Sequence, residues 1–448
     1  MLRNSTHIFS GKALAHGAGA LSRMAAAMRE RMSPGIFVLM LAVFIGLVTG
    51  TMAVVLKWLV NYIVAKLTGG LHGASWLYLF LPSAGIFLSV LFQRYVVRHR
   101  IEHGTEEIKA DIADKNYWLR PYFLYAPMLA SALTLGFGGS AGSEGPIAGT
   151  GAAVGSNVGR IFRLPPEMAM MMVALGAGAG IAGIFKSPVG GVLFTIEILR
   201  VQLSTMLVVG LFASCIVAAM TAYLWSGCTP DVAFIPTESF EPSIIPAILL
   251  LGVFCGLYGT YYRYTVQRTR RMLEAMRNHW WRNLTAAIGL GVIVFLFPVL
   301  YGEGYGIIGS VINERAPDLL RNSLFSSAQA HVWMMPVFLA GVLLLKGIAA
   351  TLTNSGGGVA GDFAPTLFAG CIAGFFFATL ANHFSAGLDQ QVFALAGMAG
   401  TMSAIMRAPL MAVFITAEMT WNYEFFLPLA LASGVAYLIS RLIIKPSE

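Results

Sequence analysis

Charged side chains are scarce in this chain: Asp, Glu, Lys and Arg make up 11% of its 448 residues, against 57% apolar ones. No soluble domain carries that balance, and a mean hydropathy of +0.73 points the same way. Cysteine is scarcer still. Cys215, Cys228, Cys255 and Cys371 stand far apart, three of them in apolar runs, which excludes a disulfide framework and any metal-ligand spacing. The eight histidines, at 7, 16, 72, 99, 103, 279, 331 and 383, lie outside the apolar runs or at their edges. A serine in the Gly-Ser-rich turn 139–143 therefore has no evident base, and an intramembrane hydrolase is disfavoured. No metal or cofactor is called for.

Apolar runs, by contrast, are plentiful. Crossing a hydrocarbon core of about 30 Å takes about 20 apolar residues. Stretches near 36–65, 76–97, 168–198, 205–225, 244–262, 285–301, 333–352, 366–382, 392–420 and 425–443 are candidates. Several are too long for one span or carry internal Gly or Pro. The expectation is an all-α polytopic membrane protein with tilted, broken and re-entrant helices. The net charge of +8 gathers at Arg94, Arg98 and Arg100, and again at Arg263, Arg268, Arg270, Arg271, Arg277 and Arg282. Basic short loops mark the cytoplasmic side, and Trp280 and Trp281 suit a membrane interface, so no nucleic-acid partner is expected. Residues 1–34 are basic and Ala-rich with no signal-peptide core. They read as a cytoplasmic amphipathic segment, or alternatively as an Arg-rich transit peptide.

Two glycine-rich stretches carry the most information. Gly138, Gly139, Ala141, Gly142 and Pro146 recur as Gly357, Gly358, Ala360, Gly361 and Pro365, an offset of 365 − 146 = 219. A second pair agrees: Lys186, Pro188, Val192, Thr195 and Glu197 match Arg407, Pro409, Val413, Thr416 and Glu418, with 418 − 197 = 221. One duplication explains both, giving a first half over 35–262, a basic linker at 263–283 and a second half over 284–448, with no soluble domain expected after it. Proline fits a helix's first turn, so both glycine stretches read as unwound backbone ahead of helices that begin inside the membrane. Such starts present unpaired N–H groups and the positive dipole end, which attract anions. Matching half-helices of this kind build transporter sites near mid-membrane.

Glu144 stands at the first of these starts between two glycines. A carboxylate in a membrane is costly and a functional candidate by default. The amides that favour an external anion also favour this side chain, so carboxylate and anion compete for one place, and protonation would free it. Glu144 is thus a candidate gate; a plain capping carboxylate is the other reading. Phe363 occupies the equivalent position of the second half, where its electropositive ring edge could shape a pore or simply pack.

At these positions the chain resembles the CLC family of chloride channels and chloride/proton antiporters, over about Gly104 to Pro446. Gly142-Ser143-Glu144-Gly145-Pro146 is similar to the family's Gly-Arg-Glu-Gly-Pro, and Gly361-Asp362-Phe363-Ala364-Pro365 to its Gly-x-Phe-x-Pro. Arg407-Ala408-Pro409 and Glu418-Met419-Thr420-Trp421-Asn422-Tyr423 resemble two later motifs. The resemblance implies a CLC-type fold of two inverted halves, a homodimer with one pore per subunit, a cell (inner) membrane location and Glu144 as gate. It places anion contacts at His103, Gly145, Asp362, Phe363 and Ala364.

Departures from the family pattern bear on mechanism. His103 stands where a pore serine is expected, either as a pore donor or as an interfacial residue of a remodelled loop. Ile198 replaces the inner proton-carrying glutamate. Glu197, with its twin Glu418, reads as half of a structural pair. The inner tyrosine expected after Lys445-Pro446 is absent, Ser143 replaces an arginine, and Asp362 puts a carboxylate beside the anion path. The expected function is transport of chloride or a similar small anion, passive or weakly proton-coupled. A strictly coupled chloride/proton antiporter and a fluoride-type exporter are the alternatives.

Overall fold

The computed structural model describes residues 32–69, 76–101, 104–114, 117–230, 232, 241–313, 319–320, 323–325 and 331–443. The first half runs α1 (Pro34–Thr68), α2 (Leu77–Leu91, continued by a π-helical turn Phe92–Val97), α3 (Gly104–Ala113), α4 (Ala126–Gly136), α5 (Glu144–Ile161), α6 (Pro166–Phe185), α7 (Pro188–Leu193, continued by a π-helical turn Phe194–Ile198) and α8 (Thr205–Trp225). The second half repeats the order as α9 (Ile245–Glu274), α10 (His279–Leu296), α11 (Tyr305–Ile312), α12 (Met334–Ser355), α13 (Phe363–His383), α14 (Gln390–Met406), α15 (Pro409–Met419) and α16 (Phe426–Ile443). Eight helices among the described residues are long and apolar enough to cross a membrane. The basic stretch 263–283, expected as a linker between the halves, is itself largely helical, ending α9 and opening α10, and α9 also takes in 245–262, which the sequence reading assigns to the first half. Most of the segment 1–34 lies outside the described residues.

Equivalent helices pack on equivalent partners: α5 on α6 as α13 on α14, and α1 on α8 as α9 on α16. The apolar runs 168–198 and 392–420 each break into two helices at the same point. Lys186 (φ 52°) and Arg407 (φ 57°) end α6 and α14 in the left-handed conformation, and Pro188 and Pro409 start the next helix. A Cβ on Gly155 would lie 1.8 Å from Met172 O, and one on Gly374 would lie 1.8 Å from Phe393 O. Backbones therefore touch at both crossings, as small residues allow in membrane bundles. A single buried apolar cluster runs through both halves.

Each half also completes the other's helix ends. Glu197 accepts from Leu410 N (3.3 Å) and Met411 N (2.8 Å) at the start of α15. Glu418 accepts from Val189 N (3.1 Å) and Gly190 N (3.0 Å) at the start of α7, and from the Ser187 and Tyr423 hydroxyls. These carboxylates satisfy N–H groups that a helix start leaves without partners. Glu418 is 6% exposed, whereas Glu197 is only half-buried. Glu418→Ala should cost about 3 kcal/mol, since hydrogen bonds to charged groups contribute roughly 1.5–3 kcal/mol each. Thermal unfolding in detergent should show a larger loss for Glu418→Ala than for Glu197→Ala; equal transitions would remove the capping account.

Candidate functional site: two glycine loops and a buried carboxylate

The glycine loops ahead of α5 and α13 meet in an isolated antiparallel bridge between Gly142 and Gly361. Gly142 N donates to Gly361 O at 2.9 Å and Gly361 N to Gly142 O at 2.5 Å. Their antiparallel sense fits halves of opposite orientation. The loops turn alike, at Gly138 (φ 100°) and Gly357 (φ 101°), a conformation glycine alone adopts without strain. Threonines tie them across the repeat. Ser140 N donates to Thr353 Oγ1 (3.0 Å), and Val359 N donates to Thr134 Oγ1 (3.1 Å). The offset of 219 holds for both partners, 353 − 134 and 359 − 140. The starts of α5 and α13 are thereby fixed side by side in the core.

Glu144 is fully buried at this junction. Its Oε1 accepts from Tyr305 Oη at 2.7 Å, while Oε2 has no hydrogen-bond partner. The carboxylate lies against Gly142, Gly361 and Ala364: a Cβ on Gly142 would sit 2.0 Å from Oε2 and 2.8 Å from Ala364 Cβ, and one on Gly361 would sit 3.3 Å from Oε2. One side chain from the first half thus occupies the space between both helix starts.

Of the sequence-derived candidates, Gly145 and Ala364 are buried beside the bridge, and a Cβ on Gly145 would lie 3.2 Å from Gly361 Cα. Phe363 is 2% exposed, its ring edge-to-face with Phe194 at 5.6 Å. Asp362 turns outward: it is exposed, and its Oδ1 accepts from Asn354 Nδ2 at 2.8 Å. His103 lies outside the described residues, as does the 444–448 segment where an inner tyrosine was expected. Ile198 packs against the apolar core.

Other residues at the junction escaped the sequence reading. Thr105, from the start of α3, brings its hydroxyl to 3.5 Å from the Cβ position of Gly145. Tyr305, at the start of α11, reaches the junction through its hydroxyl bond to Glu144. Glu303 Oε1 accepts from Ser143 N at 2.9 Å. Glu303 and Tyr305 line a cavity of about 890 Å³, whose walls also carry Lys57 and Lys186. Lys57 Nζ stands 5.2 Å from the Tyr305 ring centroid and donates to Ile184 O at 3.3 Å. Deeper still is Lys346 of α12, 1% exposed. Its Nζ donates to Ser140 Oγ at 2.9 Å and lies 4.7 Å from the Phe368 ring centroid. Among the described residues no carboxylate comes within salt-bridge range of it, and the carboxylate whose charge it feels is Glu144. The only signal in the sequence was a lone lysine inside an apolar run.

Two helix starts, a buried lysine and a tyrosine hydroxyl converge here, beside a cavity whose wall carries two lysines and Glu303. The family model described as voltage gated chloride channel matches residues 84–441. A protein named H(+)/Cl(-) exchange transporter ClcA from Yersinia pestis bv. Antiqua (strain Angola) is 27% identical over 455 aligned positions, covering 98% of this chain and 91% of the relative. A protein of the same name from Vibrio cholerae serotype O1 (strain M66-2) is 26% identical, covering 91% and 86%. Among solved structures, a slow cyanobacterial Cl-/H+ antiporter superposes with a TM-score of 0.76 at 23% identity, covering 93% of this chain and 96% of that one. A CLC-type fluoride/proton antiporter reaches 0.74 at 23% identity, over 90% and 95%. These likenesses establish the fold. With a family model matched over far more than half of its length, the chain belongs to the voltage-gated chloride channel (CLC) family.

Proposed function

We propose that this protein carries chloride or a similar small anion across a membrane, with Glu144 as the gate of the pathway. The observation that carries the reading is the position of its carboxylate, in the space between two helix starts where an anion would be held. Ionised, the side chain fills that place; protonated, it loses its attraction for the surrounding amides and leaves it to the anion. Anion contacts are assigned to the backbone around Gly145, Phe363 and Ala364, with the Thr105 hydroxyl offered to the same place. Asp362 contributes its backbone position, and its outward-turned carboxylate limits repulsion. The relatives named as proton/chloride exchangers support chloride as the anion and a link to protons.

Passage is passive or weakly proton-coupled, because Ile198 cannot carry a proton at the position of the family's inner glutamate. Strict exchange is the second reading, favoured by the names of the relatives. Liposome flux with simultaneous proton recording separates them: chloride uptake with little proton counterflow is expected, and a fixed integer ratio would establish strict exchange. Competition among chloride, fluoride and nitrate tests the fluoride-type alternative. A homodimer in the inner cell membrane, its halves related as the repeat implies, completes the proposal.

Lys346, where it carries its proton, is a positive charge set beside this pathway. An ammonium in a low-dielectric interior is expensive unless an anion answers it; Glu144 answers it when seated, and the transported ion answers it otherwise. Lys346→Met should raise the half-saturating chloride concentration about tenfold, while Lys346→Arg should largely preserve it. Initial flux against chloride concentration reads this directly. An unchanged half-saturation in Lys346→Met would take the lysine out of the site.

A further inference from the structure

A second cavity, of about 290 Å³, lies where α2 and α10 pack together. Arg94, Arg98 and Arg100 line it from the end of α2, and His279 and Arg282 from the start of α10. None of these four arginines has a carboxylate within salt-bridge range among the described residues. Arg100 and Arg282 stand close enough to repel one another, and Arg282 Nε is buried without a hydrogen-bond partner. Glu274 offsets part of this repulsion at Arg282, but Arg94, Arg98 and Arg100 are exposed around the same hollow, and four guanidinium groups facing one space favour a multivalent anion there. Their planar forks match the oxygens of a phosphate group. Trp280 lines the same cavity, 48% exposed, with Arg94 stacked 5.6 Å from its ring centroid. Exposed tryptophan beside arginine is the signature of the headgroup level of a bilayer.

We infer that this cavity binds a phosphate-bearing anion, a lipid headgroup or free phosphate, between α2 and α10. The site adjoins the anion pathway. Gln93 in its wall donates to Gly357 O at 2.9 Å and accepts from Ile101 N at 3.1 Å. Asn283, also in the wall, brings its side-chain amide within 3.2 Å of Gly356 O and 3.0 Å of His279 O. Gly356 and Gly357 begin the glycine loop that ends in the Gly361 bridge, so an occupant braces the backbone that shapes the pore.

The test is the thermal unfolding of delipidated protein with three probes: phosphatidylcholine vesicles, phosphatidylcholine–phosphatidylglycerol vesicles, and inorganic phosphate. Stabilisation by the phosphatidylglycerol mixture alone assigns the site to a lipid headgroup, and stabilisation by inorganic phosphate as well assigns it to free phosphate. Arg98→Gln and Arg282→Gln should each weaken the effective probe about tenfold, while Arg271→Gln, outside the cavity, should not. No stabilisation of the native protein by either anionic probe would overturn the proposal, as would equal stabilisation of all three variants. Arg98 and Arg271 are exposed, so those two variants report even where Arg282→Gln folds poorly. The readout is binding, independent of whether the protein moves chloride.

Discussion

Glu144→Ala is expected to leave a protein that conducts anions at a rate insensitive to pH. On the proposed reading the ionised carboxylate holds the place between the helix starts, so native flux should fall as pH rises and recover on acidification. Alanine has nothing to ionise. At alkaline pH the variant should exceed native flux roughly tenfold, the equilibrium equivalent of one charge-assisted hydrogen bond and its accompanying dipole contact. Any proton movement linked to the anion through this side chain should vanish with it. The measurement is anion efflux from proteoliposomes at acid and alkaline pH with protons recorded alongside. A variant that keeps the native pH profile would remove Glu144 as the gate, and one that loses flux altogether would make the carboxylate a structural cap.

Gly142→Ala should reach the same outcome without touching the glutamate. A Cβ at that position would fall 2.0 Å from Glu144 Oε2, far inside van der Waals contact. The carboxylate is the mobile end of a side chain and must yield before the bridged backbone does. The variant should therefore lose most of its pH dependence and gain flux at alkaline pH. Combined with Glu144→Ala it should add little, because both changes vacate one space, and such neighbours are not additive. The added methyl also faces Ala364 Cβ at 2.8 Å, so weaker anion binding should accompany the gain. Undiminished pH dependence in Gly142→Ala would mean the carboxylate rests elsewhere in the membrane.

What could be read from the sequence follows from how each feature is encoded. The repeat was legible because glycine, proline and glutamate serve backbone needs, positive φ, helix starts and helix caps, that recur unchanged in both halves. Glu144 was legible because a carboxylate between glycines has few ordinary explanations inside an apolar chain. The partnership of Glu197 with Glu418 was expected, although not that each would cap the other half's helix. Lys346, Glu303 and Tyr305 were overlooked for a physical reason. Each is a single polar residue with no periodic pattern, brought to Glu144 from 159 to 202 positions along the chain (303 − 144 and 346 − 144) only by the packing of the halves. Thr105 was obscured by its neighbour, since the motif comparison drew attention to His103, two positions earlier.

The exchanged carboxylates have a bearing on how the chain is made. Val189 emerges from the ribosome 229 residues ahead of Glu418, a lag of roughly ten to fifty seconds at ordinary translation speeds. Throughout that interval the amino end of α7 is without its Glu418 acceptor. The nascent protein must shelter those amides with water, lipid headgroups or the insertion machinery until synthesis is nearly complete. Release of the newborn chain into lipid therefore belongs at the end of translation, when both halves can close over each other together.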